Sequence, residues 1–212
     1  MTADDGAPEV RERTIGEYLE AVASAAPTPG GGSVGGVVAA LAAALGEMVG
    51  NLTKPGPDGL RPDALETALV RLAALRSDAA SLGIADEQAY AAYRLAASLP
   101  KSSEEERAVR TAAIQDALRM ATEVPLALAV CCTEMLAELV IVAELGNRHA
   151  LSDALLGSLL AKAAGEGALI NVRGNAGMIT DAAFAQRATD AAKEIERTLA
   201  DRRDAVVNAA RR

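Results

Sequence analysis

The chain has 212 residues, a formal net charge of −8, no tryptophan and one phenylalanine. This composition excludes the basic surface and the aromatic stacking platforms that are typical of nucleic-acid-binding proteins. The length suffices for one well-buried core and no shift in composition marks a boundary, so residues 1–212 are predicted to form a single domain.

Residues 1–13 are polar and acidic and are predicted to form a flexible N-terminal segment. They lack the positive start and apolar core of a secretory signal, which predicts a cytoplasmic protein. Thr14 and Glu17 then form a capping box that begins a first helix, which Pro27 ends. Helical periodicity continues along the chain and strand-like alternation is absent, so the predicted fold is an all-α bundle of long, partly kinked helices.

The segment Pro27-Thr-Pro-Gly-Gly-Gly-Ser33 follows the first helix. Its prolines restrict φ, its glycines allow close approach, and its serine is predicted to cap a second helix that runs to about Thr53. Backbone amides at such a helix start can bind an anion or a ligand carbonyl. The alternative is a loop that only packs tightly between helices. The candidate binding residues here are Gly30, Gly31, Gly32 and Ser33.

Two long helices are predicted next. The third covers residues 62–98, and Ser103-x-x-Glu106 is a second capping box that begins a fourth helix, which persists to Leu145. Pro125 lies inside the fourth helix and removes one hydrogen bond, so a kink and an unpaired carbonyl near Ala121 are expected.

The last part of the chain has further helix boundaries. Gly146-Asn147 is expected to end the fourth helix and Ser152 to cap the next. Gly174-Asn175 is expected to follow that helix, and Thr180 to cap a final helix that reaches the C-terminus.

Two apolar stretches, residues 34–49 and 124–145, are interpreted as core helices rather than membrane spans. The first is short and contains glycines, and the second carries three glutamates, which are costly in lipid. Because the first stretch is apolar on nearly every side, a homodimer that buries it is predicted. Cys131 and Cys132 are interpreted as reduced core residues, and no cluster of cysteines and histidines indicates a bound metal.

Polar side chains at helix breaks are the candidates for chemistry, because no serine or cysteine stands beside a base in sequence and His149 is the single histidine. Asp86 and Tyr90 are one turn apart on the third helix and share a face. The others are Lys101, Asn147, Ser152, Asp153, Asn171 and Asn175.

Each candidate also has a purely structural interpretation. Ser152 and Asp153 would serve only to cap a helix, Asn147 only to end one, and Lys101 would only be solvated. Glu134 and Glu138 share a helix face as well, but on so long a helix they are interpreted as part of its solvated stripe.

The order of motifs along the chain is specific. The chain carries Pro27-Thr-Pro-Gly-Gly-Gly-Ser33, Asn51-Leu-Thr53, Asp86-x-x-Ala-Tyr90, Leu99-Pro-Lys101, Arg110-x-x-Ala-Ile-Gln115, Val124-Pro-Leu126, Gly146-Asn147, Ser152-Asp-Ala154, and Asn171-Val172 with Asn175. From about Ile15 to about Phe184, this ordered set resembles the cyclodeaminase/cyclohydrolase family.

The resemblance implies a helical, dimeric enzyme that acts on a tetrahydrofolate derivative without a metal. The leading hypothesis is a methenyltetrahydrofolate cyclohydrolase, and the near alternative is a formiminotetrahydrofolate cyclodeaminase that releases ammonia. The resemblance implies that Asp86 and Asp153 are the catalytic carboxylates and that Lys101 is an acid or an anchor for the folate glutamate. It also implies substrate-binding roles for Gly30, Gly31, Gly32, Ser33, Tyr90, Asn147, Asn171 and Asn175.

The sequence departs from the family pattern after Thr53. The family usually has Gly-Lys and further basic or aromatic residues there, whereas this chain has Lys54-Pro-Gly-Pro-Asp-Gly59. Fewer positive charges would weaken the binding of a polyglutamate tail. A catalytically silent helical dimer that binds a folate-like ligand or acts as an assembly partner is the hypothesis from a different class.

Overall fold

Six α-helices and one short 3-10 turn occur within residues 13–211, the part of the chain that the computed structural model describes. The predicted all-α fold is therefore confirmed over these residues, while the predicted flexible segment lies outside them except for Arg13. The helices are α1 (Ile15–Ala23), α2 (Gly31–Asn51), α3 (Asp63–Ser98), α4 (Glu104–Leu145), α5 (Leu151–Ala176) and α6 (Ala182–Ala210), with the 3-10 turn at Arg148–Ala150.

The long helix α4 lies at the centre of the bundle. It packs against α3, α5 and α6, while α2 lies between α3 and α5 and contacts α4 less extensively. Leucine and methionine side chains of α3, α4, α5 and α6 fill the space between the helices, and alanines elsewhere let the axes approach closely. The largest fully buried side chains include Leu72, Met135, Leu136, Leu139, Leu169 and Leu199.

Helices α2 and α3 meet at a pair of glycines. A Cβ atom on Gly36 would lie 2.7 Å from Cα of Gly83, and one on Gly83 would lie 3.1 Å from the carbonyl oxygen of Ser33. No larger residue fits this crossing without moving a backbone. Because Asp86 follows Gly83 by less than one helical turn, the close crossing brings the Asp86 side chain to the start of α2.

Helix α4 continues through Pro125. Proline has no N–H, so the carbonyl oxygen of Ala121 loses its partner within the helix. The expectation that this oxygen is unpaired is wrong, because Nδ2 of Asn175 on α5 donates to it at 2.5 Å. The kink stays a prediction.

Both predicted capping boxes are confirmed, at Thr14 with Glu17 and at Ser103 with Glu106. The prediction for Ser33 is wrong, since α2 begins two residues earlier with Gly30 as its N-cap. Ser33 is buried inside the helix, where its hydroxyl donates to Glu87 rather than accepting from a backbone amide.

The boundaries of α5 and α6 also differ from the expectation. Asn147 ends α4 as expected, but its Oδ1 also accepts from the N–H of His149 at 2.9 Å. The 3-10 turn then leads directly into α5, so Ser152 lies within the helix instead of capping it. Helix α5 includes Asn175, and Asp181 rather than Thr180 caps α6, because its Oδ1 accepts from the N–H of Phe184.

Three helical segments are long and apolar enough to cross a membrane by length and composition, namely α2, α4 and residues 148–176. Each buries part of its most apolar stretch against other helices of the chain. The interpretation as core helices agrees with this packing, and the absence of a membrane partner stays a prediction.

Four polar or ionisable side chains of α4 differ in their burial. Cys131 and Cys132 are unpaired and buried as predicted, and burial raises the pKa of the Cys131 thiol to about 12. The solvated interpretation of Glu138 is wrong, since this side chain is buried and its Oε1 accepts from Nη1 of Arg71 at 3.0 Å. Glu134, one turn away, is exposed as expected.

Candidate active site

A cleft of about 280 Å³ opens where the start of α2 meets α3, α4 and α5. The segment before α2 forms one edge, and α3 supplies a carboxylate and two tyrosines. Helices α4 and α5 supply the opposite wall. The lining residues are Pro27, Thr28, Gly30, Gly31, Gly32, Asp86, Tyr90, Tyr93, Leu118, Ala121, Asn171, Asn175 and Met178.

The glycines of residues 27–33, a segment called the glycine elbow below, expose backbone amides to the cleft. The first hydrogen bond of α2 runs from the N–H of Val34 to the carbonyl of Gly30 at 3.0 Å, so the preceding amides have no partner within the helix. A Cβ atom on Gly31 would meet no protein atom within 4 Å. The positive end of the helix therefore faces open space in which a polar ligand atom can bind.

Asp86 lies directly against this helix start. A Cβ atom on Gly32 would fall 2.1 Å from Cγ of Asp86, which means that the carboxyl group occupies the space that the missing side chain leaves. Burial, and secondarily the negative charge of Glu87, raise the pKa of Asp86 above its ordinary value. Such a carboxyl accepts a proton more readily than an ordinary aspartate does.

The rest of the lining is uncharged. Among the described residues that line the cleft, Asp86 is the one with a carboxyl group, and the other polar side chains are tyrosines, a threonine and two asparagines. Tyr90 and Tyr93 lie on one side and Leu118 and Met178 complete the apolar surface. This arrangement suits a flat, partly polar molecule that carries or develops positive charge beside a carboxylate.

Seven of the predicted site residues converge on this cleft, and they are Gly30, Gly31, Gly32, Asp86, Tyr90, Asn171 and Asn175. Tyr93 and Met178 were missed. Tyr93 was within reach of sequence reasoning, because it lies three residues after Tyr90 on the same helix face. Nothing in the sequence pattern indicated Met178, because it follows the end of α5 and only the packing of the helices brings it to the cleft.

Of the other four predicted residues, Ser33 is fully buried next to Gly32 and does not line the cleft, so its predicted contact with substrate is wrong. The other three lie elsewhere in the protomer. Asn147 donates to the carbonyl of Leu52 at the far end of α2, about 30 Å from Gly31 at 1.5 Å per residue. Asp153 is at the same end, in the first turn of α5. Lys101 is exposed beyond the end of α3, whose last residue is about 18 Å along the axis from Asp86.

A reaction without a metal stays a prediction for this chain. No group of three or more histidine, cysteine, aspartate or glutamate side chains in residues 13–211 could hold a metal ion. The single histidine, His149, is exposed at the opposite end of α2 from the cleft.

Comparison with known proteins places these features in a family. The family model for formiminotransferase-cyclodeaminase matches residues 14–194. A methenyltetrahydrofolate cyclohydrolase of Methylorubrum extorquens is 40% identical over 189 residues, which cover 89% of this chain and 89% of that protein.

A relative from chicken and a solved structure add to this match. The formimidoyltransferase-cyclodeaminase of Gallus gallus is 35% identical over 173 residues, and the match covers 81% of this chain but only 32% of that longer protein. The crystal structure of formiminotetrahydrofolate cyclodeaminase from Thermotoga maritima superposes with a TM-score of 0.83 at 30% identity. That superposition covers 96% of this chain and 98% of the other.

Proposed function

Because this chain belongs to the formiminotransferase-cyclodeaminase family, we propose that it is a folate-dependent one-carbon enzyme, a methenyltetrahydrofolate cyclohydrolase that converts methenyl- to formyltetrahydrofolate. The observation that carries the proposal is the half-buried carboxylate of Asp86, the one charged group in a cleft otherwise lined by neutral residues of the described chain. The methenyl carbon bridges two folate nitrogens and is cationic. A carboxylate in a poorly solvated cleft is complementary to it.

The cleft dimensions fit part of a folate. Its volume of about 280 Å³ is close to the lower end of ligand pockets. It accommodates the ring system next to the one-carbon unit, while the glutamate end extends to solvent. Asn171 offers its amide group to the polar edge of the ring, and Asn175, whose Nδ2 donates to Ala121, offers its amide oxygen. Tyr90 and Tyr93 offer aromatic surface.

Asp86 has the properties of a general base for this hydrolysis. Water attacks the cationic carbon, and a carboxylate nearby takes the proton that the water loses. The raised pKa brings Asp86 nearer to the operating pH, where a base is most effective. The free amides at the start of α2 can hold an oxygen atom of the substrate, since they lie against the same carboxyl group.

Cyclodeaminase activity is the second candidate, favoured by the superposition on the Thermotoga maritima enzyme. In that reaction a ring nitrogen attacks an amidine carbon and ammonia leaves. The same carboxylate would move the proton and stabilise the developing positive charge. The greater identity and matched length of the Methylorubrum extorquens protein favour the hydrolase.

A pair of absorbance assays tests the proposal. The purified protein is incubated with methenyltetrahydrofolate and, separately, with formiminotetrahydrofolate, and the rate is compared with that of the protein-free reaction. We expect acceleration with the methenyl compound. Acceleration only with the formimino compound would establish the deaminase, and activity on neither would favour the silent folate-binding or assembly dimer.

Gly31→Val tests the amides at the helix start. Because a Cβ atom at this position meets no protein atom within 4 Å, the variant is expected to fold with parental helical circular dichroism. The branched side chain would occupy the space above the amides and weaken folate binding, measured by equilibrium titration. Unchanged affinity would show that the glycine elbow only packs against α3.

A homodimer is also part of the proposal, and its supporting feature is the outer surface of α2. Leu41 and Met48 are 54% and 39% exposed on a helix whose inner side is buried. A second copy is the natural cover for this apolar surface. Since Asp153 lies far from the cleft of its own chain, a catalytic role for it would require Asp153 of the partner subunit.

Light scattering tests the dimer. At micromolar concentration the measured mass is expected to be twice the chain mass of 21.6 kDa, or a multiple of that value. A Leu41→Glu variant would place a charge on the proposed interface and shift the mass toward the monomer. A parental protein that stays monomeric would contradict the dimer. A cytoplasmic location without nucleic-acid or membrane partners completes the proposal.

A further inference from the structure

Two neighbouring residues of α2 contact two neighbouring residues of α3 at the edge of the cleft. Gly32 leaves the space that the Asp86 carboxyl group occupies, and the next residue, Ser33, donates from Oγ to Oε1 of Glu87 at 2.6 Å. The first contact presents the carboxylate to the cleft. The second fixes the rotation of α3 at the same level.

The contact between Ser33 and Glu87 is well protected and extends to α1. Ser33 is fully buried, and its Oγ lies 3.0 Å from the hydroxyl of Tyr18. Because the Ser33 proton is directed to Glu87, the Tyr18 hydroxyl is the donor to Ser33. Glu87 therefore ends a chain of two hydrogen bonds that joins α1, α2 and α3 beside Asp86.

We propose that Glu87 is a positioning residue for the reaction, which holds α3 through Ser33 and keeps a fixed negative charge next to Asp86. The inference rests on the proposed function, in which Asp86 is the group that meets the one-carbon centre. Glu87 does not line the cleft, so it acts through Asp86 and not on the substrate.

The surroundings leave Glu87 as the main charged neighbour of Asp86. The titratable groups of α3 near Asp86 are the adjacent Glu87, whose charge acts on it, and the phenols of Tyr90 and Tyr93, which line the same cleft. Tyr18 of α1 approaches through Ser33. The glycine elbow and the walls from α4 and α5 contribute no titratable side chain among the described lining residues. After burial, the Glu87 charge is the remaining cause that raises the pKa of Asp86.

The charge of Glu87 determines the direction in which the Asp86 pKa moves. A negative neighbour disfavours the ionised form of Asp86, so removal of that charge lowers the Asp86 pKa. Any part of the pH–rate profile that reports Asp86 then moves to lower pH, whether the group serves as base or as acid. A residue with only a structural role would lower the rate without moving the profile.

Glu87→Gln is the central variant, because its amide oxygen can still accept from Ser33 while the charge is gone. The pKa of Asp86 is measured by carbon-13 NMR titration of the aspartate carboxyls, with the Asp86 signal assigned from its loss in Asp86→Asn. We expect a lower Asp86 pKa and a pH–rate profile displaced in the same direction. Glu20→Gln, which removes an exposed carboxylate of α1, is the matched control and is expected to leave both unchanged.

Ser33→Ala is the second variant and tests the anchor without removing the charge. We expect kcat to fall by about 10-fold to 100-fold, because small displacements of a catalytic group have effects of that size. Parental kcat in Ser33→Ala, or an Asp86 pKa that Glu87→Gln leaves in place, would overturn the proposal. Since NMR reports the Asp86 pKa without turnover, the two failures are distinguishable. A parental rate in Asp86→Asn, with a lower Asp86 pKa in Glu87→Gln, would refute the catalytic role of Asp86 and leave Glu87 only its electrostatic effect on that carboxyl group.

Discussion

Asp86→Asn is expected to lower kcat by about 10²-fold or more with the preferred folate substrate, which is the size of effect found for a positioned acid or base. Asparagine keeps the shape of the side chain, so it still fits the space beside Gly32. It cannot accept the proton from attacking water, and it does not supply a negative charge to the cationic carbon. Steady-state kinetics with both candidate substrates measures the effect.

The same variant has a distinct signature in stability. The folded-state pKa of Asp86 is raised, so the folded protein holds this proton more tightly than the unfolded chain does. The ionised group therefore lowers the free energy of unfolding as the pH rises through the two pKa values. Asp86→Asn is expected to match or exceed the parental free energy of unfolding at neutral pH, measured by denaturant titration. A parental rate with both substrates would show that Asp86 is not catalytic.

Gly32→Ala is expected to reduce kcat/KM by about 10²-fold, because displacement of a catalytic group by 1 Å can have an effect of that size. The new Cβ atom would fall 2.1–2.2 Å from three atoms of the Asp86 carboxyl group, so the carboxyl must move away from the start of α2. Helical circular dichroism is expected to remain, since alanine is favourable within a helix.

Gly35→Ala is the matched control in the same helix. Its Cβ atom would meet Cδ2 of Leu128 at 3.4 Å and the carbonyl oxygen of Ala164 at 3.9 Å, both ordinary contacts, and it lies away from the cleft lining. Both variants gain the same intrinsic helix propensity, so a difference in activity isolates the displacement of Asp86. Equal activity of the two variants would contradict the proposed position of the carboxylate.

The sequence was sufficient to predict those helix starts that depend only on a few adjacent residues. The predicted capping boxes are confirmed at Thr14 with Glu17 and at Ser103 with Glu106, because each box is completed within four residues of the chain. The same locality explains the error at Ser33. Its residue type favours an N-cap, but the half-buried carboxylate of Glu87 lies on another helix and offers a stronger, charge-assisted hydrogen bond.

The sequence by itself determined the all-α class, the approximate helices and the importance of the glycine elbow with Asp86, because periodicity, capping and ordered motifs are readable along one chain. Only the tertiary structure decided which candidates meet. Gly32 and Asp86 are far apart in sequence and are joined by the Gly36–Gly83 crossing, whereas Asp153 is carried to the other end of α2. The physical reason is that helix packing sets these distances, and it depends on the shapes of all the packed side chains together.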